Sequence, residues 1–245
     1  MIKTSKVLAG AAAVALATLV NATSAQAQVT RVDGARNSVN FNIGYFAVRS
    51  ADSRVADDVL LADLFDVEPL AFEIDDFNSA TFGGEFVLGL GDYREAGFGA
   101  SFYQRTVPSV YLNVINDNGR EIAQDLKLRI VPLTATVRFL PVGRGGFEPY
   151  IGAGIGAFNW HYSEVGEFVD PSDSSIFADR FVADGTAVGP VILGGFRFPV
   201  ADLWNVGAEV RWQKAEGKNL LDEDFLGDKI DLGGWSTSFT FGIRF

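Results

Sequence analysis

Apolar and polar positions alternate with period 2 along most of the chain beyond residue 38. In the first stretch Val39, Phe41, Ile43, Tyr45 and Ala47 are apolar, while Asn40, Asn42 and Gly44 between them are polar or small. Successive residues of a strand point to opposite faces, so this spacing predicts a strand with two chemically different sides. The pattern returns in Phe82 to Leu90, in Ala96 to Phe102, in Val131 to Phe139, in Ile151 to Ile155, in Val188 to Phe198, in Val206 to Trp212 and in Trp235 to Phe245. Pro132 inside the fourth stretch predicts a bulge or irregularity there, because proline cannot donate to a ladder. The reading is eight strands of about ten residues each, the length that crosses a bilayer at a tilt.

The connections alternate in length. About thirty residues separate the first two strands, and the gaps at 106–124, 161–186 and 214–231 are also long; the gaps at 91–94, 140–147 and 199–204 are short. Long loops on one rim and short turns on the other are the mark of an outer-membrane barrel, with the short turns in the periplasm. The fold class read from the sequence is therefore all-β, an eight-stranded antiparallel up-and-down transmembrane β-barrel. The terminal row Phe239, Phe241, Ile243 and Phe245 then faces lipid, since a closed barrel satisfies its backbone internally and leaves its outer face free to be apolar. Two aromatic girdles are expected, with Trp160, Trp212 and Trp235 toward the long-loop rim and Tyr93, Phe147, Trp204 and Phe245 toward the short-turn rim.

The segment before the strands carries Lys3 and Lys6, then an apolar run from Val7 to Val20, then Ala25-Gln26-Ala27. That order reads as a secretory leader, residues 1–27, cleaved before Gln28, with the barrel domain spanning 28–245. Its removal leaves 18 basic residues against 31 acidic ones, a net charge of −13. Nucleic acid is a poor partner for such a chain. The absence of cysteine excludes a disulfide framework and thiol chemistry.

The closing aromatic strand, ending on Phe245, resembles the signal read by the outer-membrane barrel assembly machinery. The stretches "PYIGAGIGAF" and "GAEVRW" resemble strands of the small eight-stranded barrels related to the OmpA membrane domain and OmpW. That resemblance implies insertion into the outer membrane, with lipid and the assembly machinery as partners, and fixes no activity and no cofactor. A monomer is expected.

With the apolar positions turned to lipid, the other face of the strands places Glu85, Arg138, Arg197, Glu209, Arg211 and Arg244 in the lumen. Eight strands enclose just enough room for their own side chains. Charges confined there are expected to pair, Glu209 bridging Arg211 and Arg244 and Glu85 reaching an arginine across the barrel. A selectivity filter is the alternative role of these charges; the function read from the sequence is a structural or surface-interaction barrel, with a narrow channel or a carrier of small hydrophobic ligands as the alternative.

The single histidine, His161, sits in "NWHYSEVGEF", and His-x-Ser beside an acid resembles the lipid A deacylase barrels. A hydrolase of that kind needs Ser163 activated by His161, with Glu164 or Glu167 orienting the base. The bland reading is a histidine at the aromatic belt. Nine acids lie between Arg49 and Asn78 and five more from Leu220 to Asp231. They are read as solvated loop residues, with weak gathering of Ca2+ or Mg2+ as the sharper alternative and no assigned metal site. "DVLLADLFDV" in the first loop predicts a short helix over the rim or a partner contact.

Overall fold

A computed structural model describes residues 37–65, 68–170 and 173–245; the segment expected to be a secretory leader, residues 1–27, lies outside the described residues. The barrel strands are β1 (Ser38–Val48), β2 (Ser79–Gly89), β3 (Arg94–Ile115), β4 (Glu121–Phe139), β5 (Glu148–Val169), β6 (Ile176–Pro199), β7 (Trp204–Gln213) and β10 (Gly234–Arg244). Each pairs antiparallel with its neighbours, and the ring closes where β1 meets β10, from Ser38 opposite Arg244 to Val48 opposite Gly234. The first loop holds a helix, α1 (Val59–Phe65), and the last holds a small hairpin of β8 (Glu216–Lys218) and β9 (Lys229–Asp231).

Four strands are about twice the expected length. The gaps read as long loops at 106–124 and 161–186 are the continuing hairpins of β3 with β4 and of β5 with β6. The reason lies in an inversion of the pattern. On β4 the even residues face inward throughout, yet they are Thr134, Thr136 and Arg138 in the lower part and Ile122, Leu126, Leu128 and Ile130 in the upper part. The odd residues change the opposite way, from Val131, Leu133 and Val137 outside the barrel to Glu121, Asp125 and Lys127 beyond it. Lipid demands an apolar exterior and water a polar one, so one continuous strand reverses its amphipathicity where it leaves the bilayer.

The same inversion corrects the position of Trp160. It is not a girdle residue: it shares the inward parity of Phe158 and Tyr162 on the upper part of β5 and is buried with them. Trp212 and Trp235 do lie side by side across the β7–β10 ladder, and Trp235 is exposed, as are Tyr93, Phe147 and Phe245 at the other rim. Phe239, Phe241 and Phe245 face outward, with Phe241 stacked on Trp204 at 4.8 Å. At Pro132 there is no bulge. The β3–β4 register is the same on either side, and the ladder skips the pairs that would involve Ser101 and Phe102.

Above the bilayer only β3 to β6 continue, so their inward apolar face needs another cover. The first and last loops supply it. Val59, Leu60, Leu70, Ile74 and Phe77 from the first loop and Leu220, Phe225, Ile230 and Leu232 from the last join Val107, Leu126, Leu128, Ile130, Phe158, Trp160 and Tyr162 in one buried cluster.

Candidate functional site

The interior at bilayer level is a stack of paired charges. Arg138, fully buried, donates from Nη2 to Glu85 at 2.5 Å and to Glu209 at 2.9 Å. Arg211 donates from Nε and Nη2 to the other oxygen of Glu209, at 3.1 and 2.9 Å, and lies 3.7 Å from Glu85. Nearer the short turns, Arg197 reaches Glu95 at 2.7 Å and Glu148 at 3.5 Å, Arg144 pairs with Glu95 at 2.8 Å, and Arg244 with Glu148 at 2.8 Å. Tyr150 joins the two layers. Its hydroxyl donates to Glu209 at 3.0 Å, and the guanidinium groups of Arg138 and Arg197 lie over its ring at 4.8 and 5.1 Å, within cation–π range.

The strands set this up by parity, with a glycine where space is short. A Cβ on Gly97 would stand 2.7 Å from a carboxylate oxygen of Glu85, so a bare backbone there leaves room for the acid to turn toward Arg138. A cavity of about 40 Å3 lies above the first layer, lined among others by Asn42, Thr81, Glu85, Ser101, Arg211 and Ser238. That is room for roughly three water molecules.

One expected pairing differs. Arg244 does not meet Glu209, because the β7–β10 register sets Glu209 opposite Ser238, six residues before Arg244, or roughly 20 Å of strand. Glu148 is level with Arg244 and takes its place. Glu95 and Glu148 follow the inward parity of Gly97 and Tyr150 and were within reach of the pattern. Arg144 lies in a turn, where parity says nothing.

Above the bilayer the first loop is tied down by charge as well as by apolar contact. Asp58 precedes α1 and accepts the Leu60 backbone N–H at 3.1 Å, the role of an N-cap. It also accepts from both Nε and Nη2 of buried Arg54, at 2.9 and 3.0 Å, and from the backbone N–H of Asp231 at 2.6 Å. Asp231 in turn binds Arg49 and the Val55 N–H, so the first and last loops meet at one knot. This corrects the reading of the loop acids as uniformly solvated, since Asp58, Asp63 and Asp231 are buried. Burying Asp58 and Asp231 in ion pairs and backbone hydrogen bonds keeps two loops together that lie far apart in sequence.

On the outer face of β5, His161 is half-buried between Arg129 and Asp184 on the adjoining strands. Ser163 is buried beside Lys127 and Val182, and Glu167 lies 3.7 Å from Arg120. No hydrogen bond joins His161, Ser163 and Glu167 among the described residues. Glu164 turns inward, against Asp63 of α1. No group of three or more His, Asp or Glu among the described residues is close enough to hold a metal ion.

The sequence matches no family model and no curated protein. Its shape does match solved structures. OprG of Pseudomonas aeruginosa aligns over 86% of this chain and 97% of its own, with a TM-score of 0.51 and 14% identity. The fold is that of an outer-membrane β-barrel. Also similar are outer membrane protein W of Escherichia coli, over 86% of this chain and all of its own, at TM-score 0.39 and 18% identity, and the protease OmpT of Escherichia coli, over 85% and 96%, at 0.42 and 11%. With its outward apolar belt and two aromatic rims, the barrel is built for an outer membrane.

Proposed function

We propose that this protein is a structural and surface-interaction barrel of the outer membrane whose interior passes no solute. The observation that carries the reading is the succession of two blocks along the axis. Paired charges around Arg138 and Tyr150 fill the lower half, and the cluster of α1, Phe77, Phe158, Trp160 and Phe225 fills the upper half. What remains for display outside is the wall of the long β3–β4 and β5–β6 hairpins, with a net-acidic chain behind it. In this reading the partners are lipid and, through the Phe239–Phe245 strand, the barrel assembly machinery; the protein acts as a monomer without a cofactor.

Planar-bilayer recording of the purified protein tests it. The expected record is a silent membrane or rare small events; a steady, large conductance overturns the proposal. A narrow channel is the second reading, supported by the polar cavity between the blocks. It requires the Arg138–Glu209 pair to part, and Glu209→Ala conducting where the wild type does not would select it. The lipid A hydrolase is the third, and unchanged acylation of lipid A by mass spectrometry, with and without the protein, discards it.

A further inference from the structure

Inside the outer cap two carboxyl groups face each other, and among the described residues no cation pairs with either. Asp63 projects from the inner face of α1, and Glu164 projects inward from β5 next to Tyr162, whose hydroxyl donates to Asp63 at 3.3 Å. Asp63, Tyr162 and Glu164 are all at least nine-tenths buried. Across the ladders Glu164 is flanked by Leu126 and Phe181, and Tyr162 by Leu128 and Ala183. Phe225 of the last loop packs on the Tyr162 ring at 5.4 Å. The other titratable groups that face the pair are acids or phenols. They are Asp58 on the loop preceding α1, Glu68 beyond the helix, and Tyr111 on β3. Buried Arg54, on the same loop, directs both its Nε and Nη2 to Asp58.

We propose that Asp63 and Glu164 form a proton-operated latch: with both carboxyls protonated the pair is neutral and holds α1 on the outer end of the barrel, and loss of a proton from the pair places a buried charge there and loosens the helix.

Two carboxylates in an apolar setting cannot both be ionised without large repulsion, so one keeps its proton or the pair separates. Burial pushes Glu164 up to about 7, against the neighbouring Tyr162 hydroxyl and Asp63 carboxyl, which favour its charged form. Burial and the charge of Glu164 likewise raise Asp63 well above the usual carboxylate range. The sign follows from linkage. A carboxyl whose value is raised in the docked state favours docking at low pH, fully so below its ordinary value near 4.5, and that contribution is lost as pH rises through about 7. Between pH 5 and 8 the docking equilibrium of α1 falls on the order of fiftyfold from Glu164 alone. The Arg54–Asp58–Asp231 knot is held by an ion pair and backbone hydrogen bonds outside the pair, so the hinge lies at Asp58 and the moving part is Val59–Phe65.

Release bears on the interior only under the blocked-barrel reading, but movement of the helix is measured apart from conductance. The experiment is hydrogen exchange by mass spectrometry on the full chain in lipid nanodiscs from pH 5 to pH 8, with rates corrected for intrinsic pH dependence. Exchange of the α1 amides is expected to accelerate on the order of fiftyfold and to level off above about pH 7, while the Ile122–Leu128 segment of β4 stays protected. The double variant Asp63→Asn, Glu164→Gln is expected to lose the rise. If that variant does not insert, Tyr162→Phe keeps both acids, removes the donor that favours their charged forms, and moves the levelling point to higher pH. Exchange of α1 that is flat across the range, or a rise that persists in the double variant or stays fixed in Tyr162→Phe, overturns the latch. Silence in a planar bilayer at pH 8 leaves it standing.

Discussion

The lower and upper halves of this barrel bury their interiors by opposite means. At bilayer level eight strands close on a narrow space, and Glu85, Arg138, Glu209 and Arg211 pair with one another inside it. Above the bilayer four strands carry on alone, and an open sheet must find apolar cover, which α1 and the last loop provide. The wall of the first region is continuous backbone ladder; the cover of the second is loop held by side chains. Loss of the same kind of contact should therefore unfold the protein in one region and only loosen it in the other.

The largest effect is expected at Arg138. Arg138→Ala leaves Glu85 and Glu209 buried, with Arg211 as their remaining partner, and should cost about 3–5 kcal/mol in urea unfolding from bilayers. Asp58→Asn breaks a pair just as buried, yet its cost should fall on loop docking. α1 exchanges faster and is cut by protease at the cell surface, while the urea midpoint of the barrel stays within error of wild type. An unfolding midpoint lowered equally by both substitutions would erase the distinction between wall and cover. Leu60→Ala, which empties a fully buried site in the cap, should cost about 2–5 kcal/mol of docking, again read by proteolysis of the first loop. Smallest is Glu167→Gln, removing an exposed pair with Arg120, with a change in stability within about 0.5 kcal/mol.

Much of the wall was legible, because lipid on one side and charge on the other enforce a strict period of 2. Glu85, Arg138, Glu209 and Arg211 could be put in the lumen from parity alone. The cap was not, and β4 shows why. Ile122, Leu126 and Leu128 alternate as cleanly as Leu133 and Val137 below them, but on the opposite phase, so a search for one apolar register ends at the bilayer surface. Trp160 escapes that search for the same reason. A tryptophan near a rim suggests a girdle, and only its shared parity with Gly154 and Gly156 reveals that it points inward. The Asp63–Glu164 contact joins a helix to a strand about a hundred residues away, and nothing local in either stretch announces it.

The closing seam has a consequence for how the barrel comes together in time. Ser38 and Arg244 are about two hundred residues apart in the chain, whereas the β5–β6 hairpin turns within a few residues and zips over twenty-two paired positions. Loop-closure entropy makes the short-range hairpins early and the first-to-last pairing late. The knot of Arg54, Asp58 and Asp231 joins residues that flank that seam, so closure of the ring brings its partners together. Docking of the first loop is thereby coupled to closure, and its protection from protease is expected to report that the ring has shut.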